Sequence, residues 1–251
     1  MLRFFILIAL LIALIGCGTV GPVQPLLKSL PQAADNATLE QKGGALLLGW
    51  DIPTTNQDGS ELTDLAGFAI YKSDYDLERG CPECRPPKKL LRKIDLAYYR
   101  SNNRGSNRFY LWDSAVEEET GYRYKIVPYT SVGHEGGATL LYRPCFSAPY
   151  PPTTVSAQPF DRQVRLGWQA VDEKRQGVEL VGYNVYRCSG DDYFGVKPLN
   201  SKPIKDTGYD DINLTNGTKY TYALRTVVAI GDKQLESIFS TTASARPQRP
   251  E

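Results

Sequence analysis

Cys81 and Cys84 are the first residues whose types and spacing suggest chemistry. They lie in the stretch GCPECRPPKKLLRK, residues 80–93, followed by two prolines and a run of positive charge. That spacing serves a metal knuckle, a dithiol pair or a short staple. A four-ligand zinc site needs a second pair at similar spacing, which the chain lacks. A catalytic dithiol needs its first cysteine at a helix N-terminus in an α/β fold. Haem attachment needs histidine at position 85, which is arginine. His134 is the only histidine, and its hairpin setting reads as exposed. Neither H-E-x-x-H nor G-x-S-x-G occurs. Glu117, Glu118 and Glu119, like Asp191 and Asp192, read as solvent-facing turns. No catalytic residue, metal site or cofactor motif emerges, and the cysteines read as structural rather than chemical.

The fifth cysteine has a different setting. Arg3 opens the chain, and residues 4–15 are an unbroken apolar run. Twelve residues are too few to cross a hydrocarbon core, which takes about 20 in a helix, but they suit the core of a signal peptide. The run ends in Leu14-Ile15-Gly16-Cys17, which resembles the lipobox of bacterial lipoproteins. The resemblance implies cleavage before Cys17 and acylation of its sulfur and amino group, enough acyl chain for stable anchoring. The letters G-x-G-x-x-G at 16–21 straddle that cleavage site and carry no dinucleotide meaning. Gly18, where aspartate would favour inner-membrane retention, points to the outer membrane. The expected location is therefore the cell envelope, with the protein held by lipid and facing either the periplasm or the surface. Residues 1–16 are the leader and 17–34 a tether.

Beyond the leader the charge is balanced. The whole chain has 29 Lys and Arg against 28 Asp and Glu, and Arg3 is lost with the leader. Nothing global argues for nucleic acid. Proline, glycine and tyrosine are plentiful at 17, 22 and 16 residues. Short alternating runs broken by turn residues, with no long 3.6-residue period, imply an all-β protein.

The chain also repeats itself. Leu48-Gly49-Trp50 matches Leu166-Gly167-Trp168. Gly67, Phe68, Ile70 and Tyr71 match Gly182, Tyr183, Val185 and Tyr186. Asp113, Val116, Tyr122, Tyr124 and Gly133 match Asp211, Leu214, Tyr220, Tyr222 and Gly231 at a constant offset of 98. Each copy reads as a β-sandwich with a tryptophan plug and an aliphatic-to-tyrosine spacing that suits a tyrosine corner. These motifs resemble two tandem fibronectin type III domains, an immunoglobulin-like fold, over 35–149 and 150–247. Pro149, Pro151 and Pro152 mark the join, where proline withholds donors from strand pairing. The first copy carries an insertion of 17 residues between its tyrosine and aspartate landmarks, and Cys81 and Cys84 lie within it.

The resemblance places Cys81, Cys84 and Cys145 together near the junction. It implies a disulfide among them, either Cys81 with Cys84 or one of the two with Cys145. In an extended pair of domains, Cys188 stands about one strand length from Cys145, out of disulfide reach, and is unpaired or bonded to another molecule. The insertion is strongly basic: Arg85, Lys88, Lys89, Arg92, Lys93, Arg100, Arg104 and Arg108, with Asp95 the one acid among them. Such a segment is either a solvated loop with lysine-protected edge strands or a patch for an anionic partner. Tyr98 and Tyr99 within it are candidates for sugar stacking or for the core. The expected function is a lipid-anchored binding or spacer module for a protein or anionic glycan, without catalysis. The alternative is an accessory structural subunit of a cell-envelope complex for secretion or polysaccharide export.

Overall fold

The computed structural model describes residues 29–102, 107–190 and 192–249, the side chains of 100–102 excepted. The leader, Cys17, most of the tether and Arg104 lie outside the described residues. The first half runs β1 (Asp35–Lys42), β2 (Ala45–Asp51), β3 (Leu65–Asp76), β4 (Lys89–Asp95), α1 (Leu96–Asn102), β5 (Arg108–Asp113), β6 (Thr120–Thr130) and β7 (Thr139–Cys145). The second runs β8 (Thr153–Phe160), β9 (Gln163–Gln169), β10 (Val178–Ser189), β11 (Gly208–Ile212), β12 (Tyr220–Ile230), β13 (Lys233–Glu236) and β14 (Ala243–Ala245).

Two sandwiches result, each with its own core. In the first, β1-β2-β5 faces β4-β3-β6-β7; in the second, β8-β9-β11 faces β10-β12 with β13 and β14. This is the fibronectin type III strand order, and the chain is all-β as its alternation implies. Leu46, Leu48 and Trp50 alternate inward along β2, and all three are fully buried. Trp50 meets Phe68 edge-on at 5.5 Å and 71°, and Trp168 meets Tyr183 with the same distance and angle. Tyr–x–Tyr recurs with its bonds intact. The Tyr122 hydroxyl accepts from the Glu117 N–H at 2.8 Å, and the Tyr220 hydroxyl accepts from the Thr215 N–H at 3.2 Å. Each tyrosine thereby pins the loop that precedes its strand.

The paired glycines have a common cause. Gly67 and Gly182 each follow a break in the strand register. A Cβ would sit 1.9 Å from the Ile94 carbonyl oxygen at Gly67 and 2.4 Å from that of Ile204 at Gly182. Only a residue without a side chain lets the neighbouring backbone approach this closely.

Three features differ from the expectation drawn from the sequence. Within the insertion, α1 interrupts the strands. Its first turn is capped by Asp95, whose Oδ1 accepts from the Tyr98 N–H at 2.9 Å, and Leu96 buries its side chain in the core. A seven-residue helix is too short to show a period in the sequence. The end of the tether belongs to the first sandwich: Gln32 N–H bonds Thr55 O, Gln57 N–H bonds Leu30 O, and Ala34 is buried. Finally, the sandwiches are not an extended pair joined only by prolines. β1 pairs in parallel with β13, Gln41 opposite Leu235 and Lys42 opposite Glu236. One sheet, in the order β10-β12-β13-β1-β2-β5, therefore runs through both sandwiches.

Candidate functional site

The structure divides the residues singled out by the sequence among three places. Cys81 and Cys84 form a disulfide, with α-carbons 5.4 Å apart. Its loop is held against β6, where Arg123 donates to the carbonyls of Cys81, Arg85 and Asp74. Cys145 is not a disulfide partner: it is a buried free thiol of the core, raised in pKa by desolvation. Cys188 is likewise free and half-buried.

The basic residues do not form one patch. Arg85, Lys88, Lys89, Arg92 and Lys93 are exposed along the loop and the outer strand β4. Lys93 also covers the Tyr129 ring at 4.3 Å. Arg100 falls in α1, and Arg104 lies outside the described residues. Arg108 leaves the group altogether, because β5 belongs to the opposite layer. There its Nη1 meets Asp51 Oδ1 at 2.9 Å and its Nη2 meets Thr38 at 3.0 Å. Tyr99 is a core residue, its ring 3.8 Å from that of Phe109, whereas Tyr98 is exposed. His134 and Glu117, Glu118 and Glu119 are exposed. Among the described residues no three His, Cys, Asp or Glu stand together as a metal site.

Sequence reasoning missed the junction. Gln41 is buried and clasps the chain as it leaves β7: its Nε2 donates to Phe146 O at 2.6 Å, and its Oε1 accepts from Phe146 N–H at 3.0 Å. Lys42 reaches Glu236 across the paired strands at 3.1 Å, with side-chain exposures of 4% and 10%. The same carboxylate accepts from Tyr186 at 2.8 Å and Asn184 at 2.7 Å. Burial and this carboxylate together push the Tyr186 phenol far up, so its proton stays in place. Arg143 donates to Leu39 O at 3.2 Å in its own sandwich and to Gln234 O at 2.5 Å in the other. Arg175, paired side-on with Glu173, donates to Ser147 O in the linker at 2.9 Å. The available signal was polar residues where strands are buried, such as Gln41 and Lys42 at the end of β1.

Beside this joint lies a cleft of about 680 Å³. One wall is the outer face of β1-β2-β5 with Asn36, Asp51, Arg108 and Tyr110; the other includes Lys197 and Asn200 of the second sandwich. The Asn36 hydrogen bond, then Arg108 and the Lys197 ammonium, hold the Asp51 carboxyl below the usual range against the opposing effect of burial. Along β5 the outward residues are Arg108, Tyr110 and Trp112, alternating with buried Phe109, Leu111 and Asp113. Trp50 and Trp168 are core plugs, but Trp112 is 44% exposed. The string RFYLWD carries bulky residues in both phases, the sequence sign that its outward face is not purely polar.

Comparisons with known proteins are partial. No family model matches the chain. An amylopullulanase of Thermoanaerobacterium saccharolyticum is 32% identical over 101 residues, 40% of this chain and 7% of that enzyme. Amylopullulanases of Thermoanaerobacterium thermosulfurigenes and Thermoanaerobacter thermohydrosulfuricus are also 32% identical, over 41% and 47% of this chain. The chain thus spans less than a tenth of the length of these relatives. Among solved structures, the FN1–FN3 domains of chicken CNTN1 align over 88% of this chain and 69% of theirs, at 15% identity and a TM-score of 0.34. An Fn3-like protein from Clostridium thermocellum aligns over 42% of this chain and 97% of its own, at 28% identity and a TM-score of 0.30.

Proposed function

We propose that this chain is a lipid-anchored, extracytoplasmic binding module without catalytic activity, in which two fibronectin type III sandwiches act as one rigid body. The observation that carries this reading is the joint. A sheet shared between the sandwiches, sealed by the buried Lys42–Glu236 pair and the Gln41 clasp, resists bending where a bare linker would flex. A ligand that contacts both sandwiches then meets a preformed surface and loses little free energy in ordering it. Acylation of Cys17 fixes one end of this body to the envelope, at the outer membrane. The partner is a glycan or a protein. The partial similarity to amylopullulanases supports the glycan, since those enzymes are named for acting on one. No nucleic acid or cofactor is part of this reading.

The exposed cations of β4 favour a second reading, an accessory subunit of an envelope complex. An edge strand carrying Lys89, Arg92 and Lys93, continued from the loop by Arg85 and Lys88, offers an acidic protein face both charge and unpaired backbone.

Expression from the native leader tests the anchor. Fatty-acid label should enter the wild-type chain, and Cys17→Ser should lose both the label and membrane retention. An unlabelled wild-type chain in the soluble fraction would overturn the anchored reading. Co-purification from detergent-solubilised envelopes separates the alternatives: a stoichiometric protein partner lost on reversing the β4 charges identifies a subunit.

A further inference from the structure

We propose that the cleft beside β5 binds a neutral glycan chain, with Tyr110 of its lining and Trp112, just outside the lining and opposite its Leu47, as stacking platforms; this rests on the glycan branch of the reading above. Three observations converge on it. The first is the aromatic strip. Tyr110 and Trp112 stand two residues apart on one face of a strand, about 7 Å along it, the scale of one pyranose unit. Apolar C–H faces of a sugar ring pack on such rings, and a solvated tryptophan on a sheet face otherwise adds only a hazard of self-association.

The second is the floor. A Cβ at Gly49 would lie 3.2 Å from Tyr110 Cε1 and 3.1 Å from Arg108 Nη2. Both side chains therefore lean over the glycine, and the ring rests on the sheet with Arg108 5.6 Å from its centroid. Gly49 is what leaves room for this platform.

The third is charge. The charged groups facing the cleft are Lys42, Arg108 and Lys197 against Glu40, Asp51 and Glu236. Lys42 and Arg108 are paired with Glu236 and Asp51. A polyanion finds no net attraction in this cleft, in contrast with β4. A chain of hydroxyls finds fixed donors and acceptors in Asn36, Asp51, Arg108 and Lys197, most of them already oriented by their neighbours. β5 is also the outer strand of its sheet, so a polymer lying across β2 and β5 can leave the cleft at that side.

The test is calorimetric titration of the full chain in detergent with maltohexaose, cellohexaose, laminarihexaose and a uronate hexamer. At least one neutral hexaose should bind. Tyr110→Ala and Trp112→Ala should each weaken it about tenfold or more. Trp112→Phe should retain part of the affinity, and reversing Lys89, Arg92 and Lys93 should leave it unchanged. Unaltered thermal unfolding of the variants confirms the fold, since both side chains lie on the outer face. Binding insensitive to both alanine variants overturns the cleft, as does a loss that tracks dissociation of a homodimer in sedimentation. Binding of the uronate alone, abolished by the β4 reversals, overturns the neutral-glycan site but leaves the binding module intact. A protein partner with no sugar bound overturns it in favour of the subunit, and no partner of any kind removes both readings.

Discussion

Asp113 and Asp211 are carboxylates that the two cores retain for the same purpose. In the first sandwich the Tyr124 hydroxyl donates to Asp113 at 2.6 Å, and Lys72 lies 2.6 Å from the same carboxylate. In the second, Tyr222 donates to Asp211 at 2.8 Å, and Arg187 pairs with it at 2.8 Å. The constant offset of 98 made both the aspartates and the tyrosines legible as equivalents. The cations follow the other set of matches, Lys72 directly after Tyr71 and Arg187 directly after Tyr186; what the sequence did not show is that β3 and β10 bring them to these aspartates. Asp113→Asn keeps an acceptor for the tyrosine but removes the charge opposite Lys72, whose side chain is 15% exposed. The expected loss is about 3 kcal/mol, the low end of the range for breaking a buried pair, read as a lower urea midpoint with unchanged slope. Asp51 offers a pH test. Its folded pKa is depressed by Asn36, Arg108 and Lys197. Its contribution is therefore fully present above the unfolded carboxylate value of about 3.9 and is lost as pH falls through the lower folded value. Wild type and Asp51→Asn should differ by a constant stability from pH 7 to 5, and the gap should narrow below about pH 4. A gap independent of pH would remove the Asp51 pairing from the account.

At the scale of elements, alternation and turn residues revealed strands because one face of each is buried. They did not reveal what the insertion folds into. In the second sandwich the described part of the matching segment forms no strand: it bridges Ile204 to Tyr183 and bonds Val185 through Leu199 and Asn200. In the first it becomes the disulfide loop, β4 and α1. The difference lies in tertiary packing: β4 is ordered by its ladder with β3, and Leu96 seats the helix on the core. What the two copies share is the close approach that the segment makes to the central strand, and the paired glycines record it. Gly67→Ala and Gly182→Ala should each cost at least about 1–3 kcal/mol, the range for overpacking. Gly182 should be the more sensitive to any larger residue, because its φ of +146° adds backbone strain to the clash with Ile204 O. Thermal scans of both variants check this. An alanine at Gly67 without effect would mean that β4 can move off β3 at no cost.

For the whole molecule, the proline-rich join suggested two bodies on a stiff string, and the parallel pairing of β1 with β13 makes them one. That pairing is only two residues long, too short and too distant in sequence for a pattern to expose. Its strength comes from what it brings together. Glu236 holds Lys42, Tyr186 and Asn184 at once, with side-chain exposures of 4% for Lys42 and 10% for Glu236 at the edge of the cleft. Glu236→Gln leaves the Lys42 ammonium with the neutral Tyr186 hydroxyl at 2.9 Å and, as its remaining carboxylate, Glu40 at 3.5 Å and 53% exposed, where solvent screens most of the attraction; the buried Arg225 guanidinium, 3.6 Å from Glu236, loses its carboxylate too. The expected cost is on the order of 3–5 kcal/mol, because an uncompensated charge remains buried. It should fall on the joint as well as on the second sandwich, since Glu236 links Lys42 of β1 to Asn184, Tyr186 and Arg225. Calorimetry should then resolve two unfolding transitions where the wild type shows one, and small-angle scattering should report a larger radius of gyration. Replacing Lys42 by Met alongside Glu236→Gln removes one of the two stranded cations, leaving Arg225, and should recover part of the loss. A single transition at the wild-type temperature in Glu236→Gln would show that the prolines alone hold the sandwiches together. The rigid cleft wall supplied by Lys197 and Asn200 would then lose its physical basis.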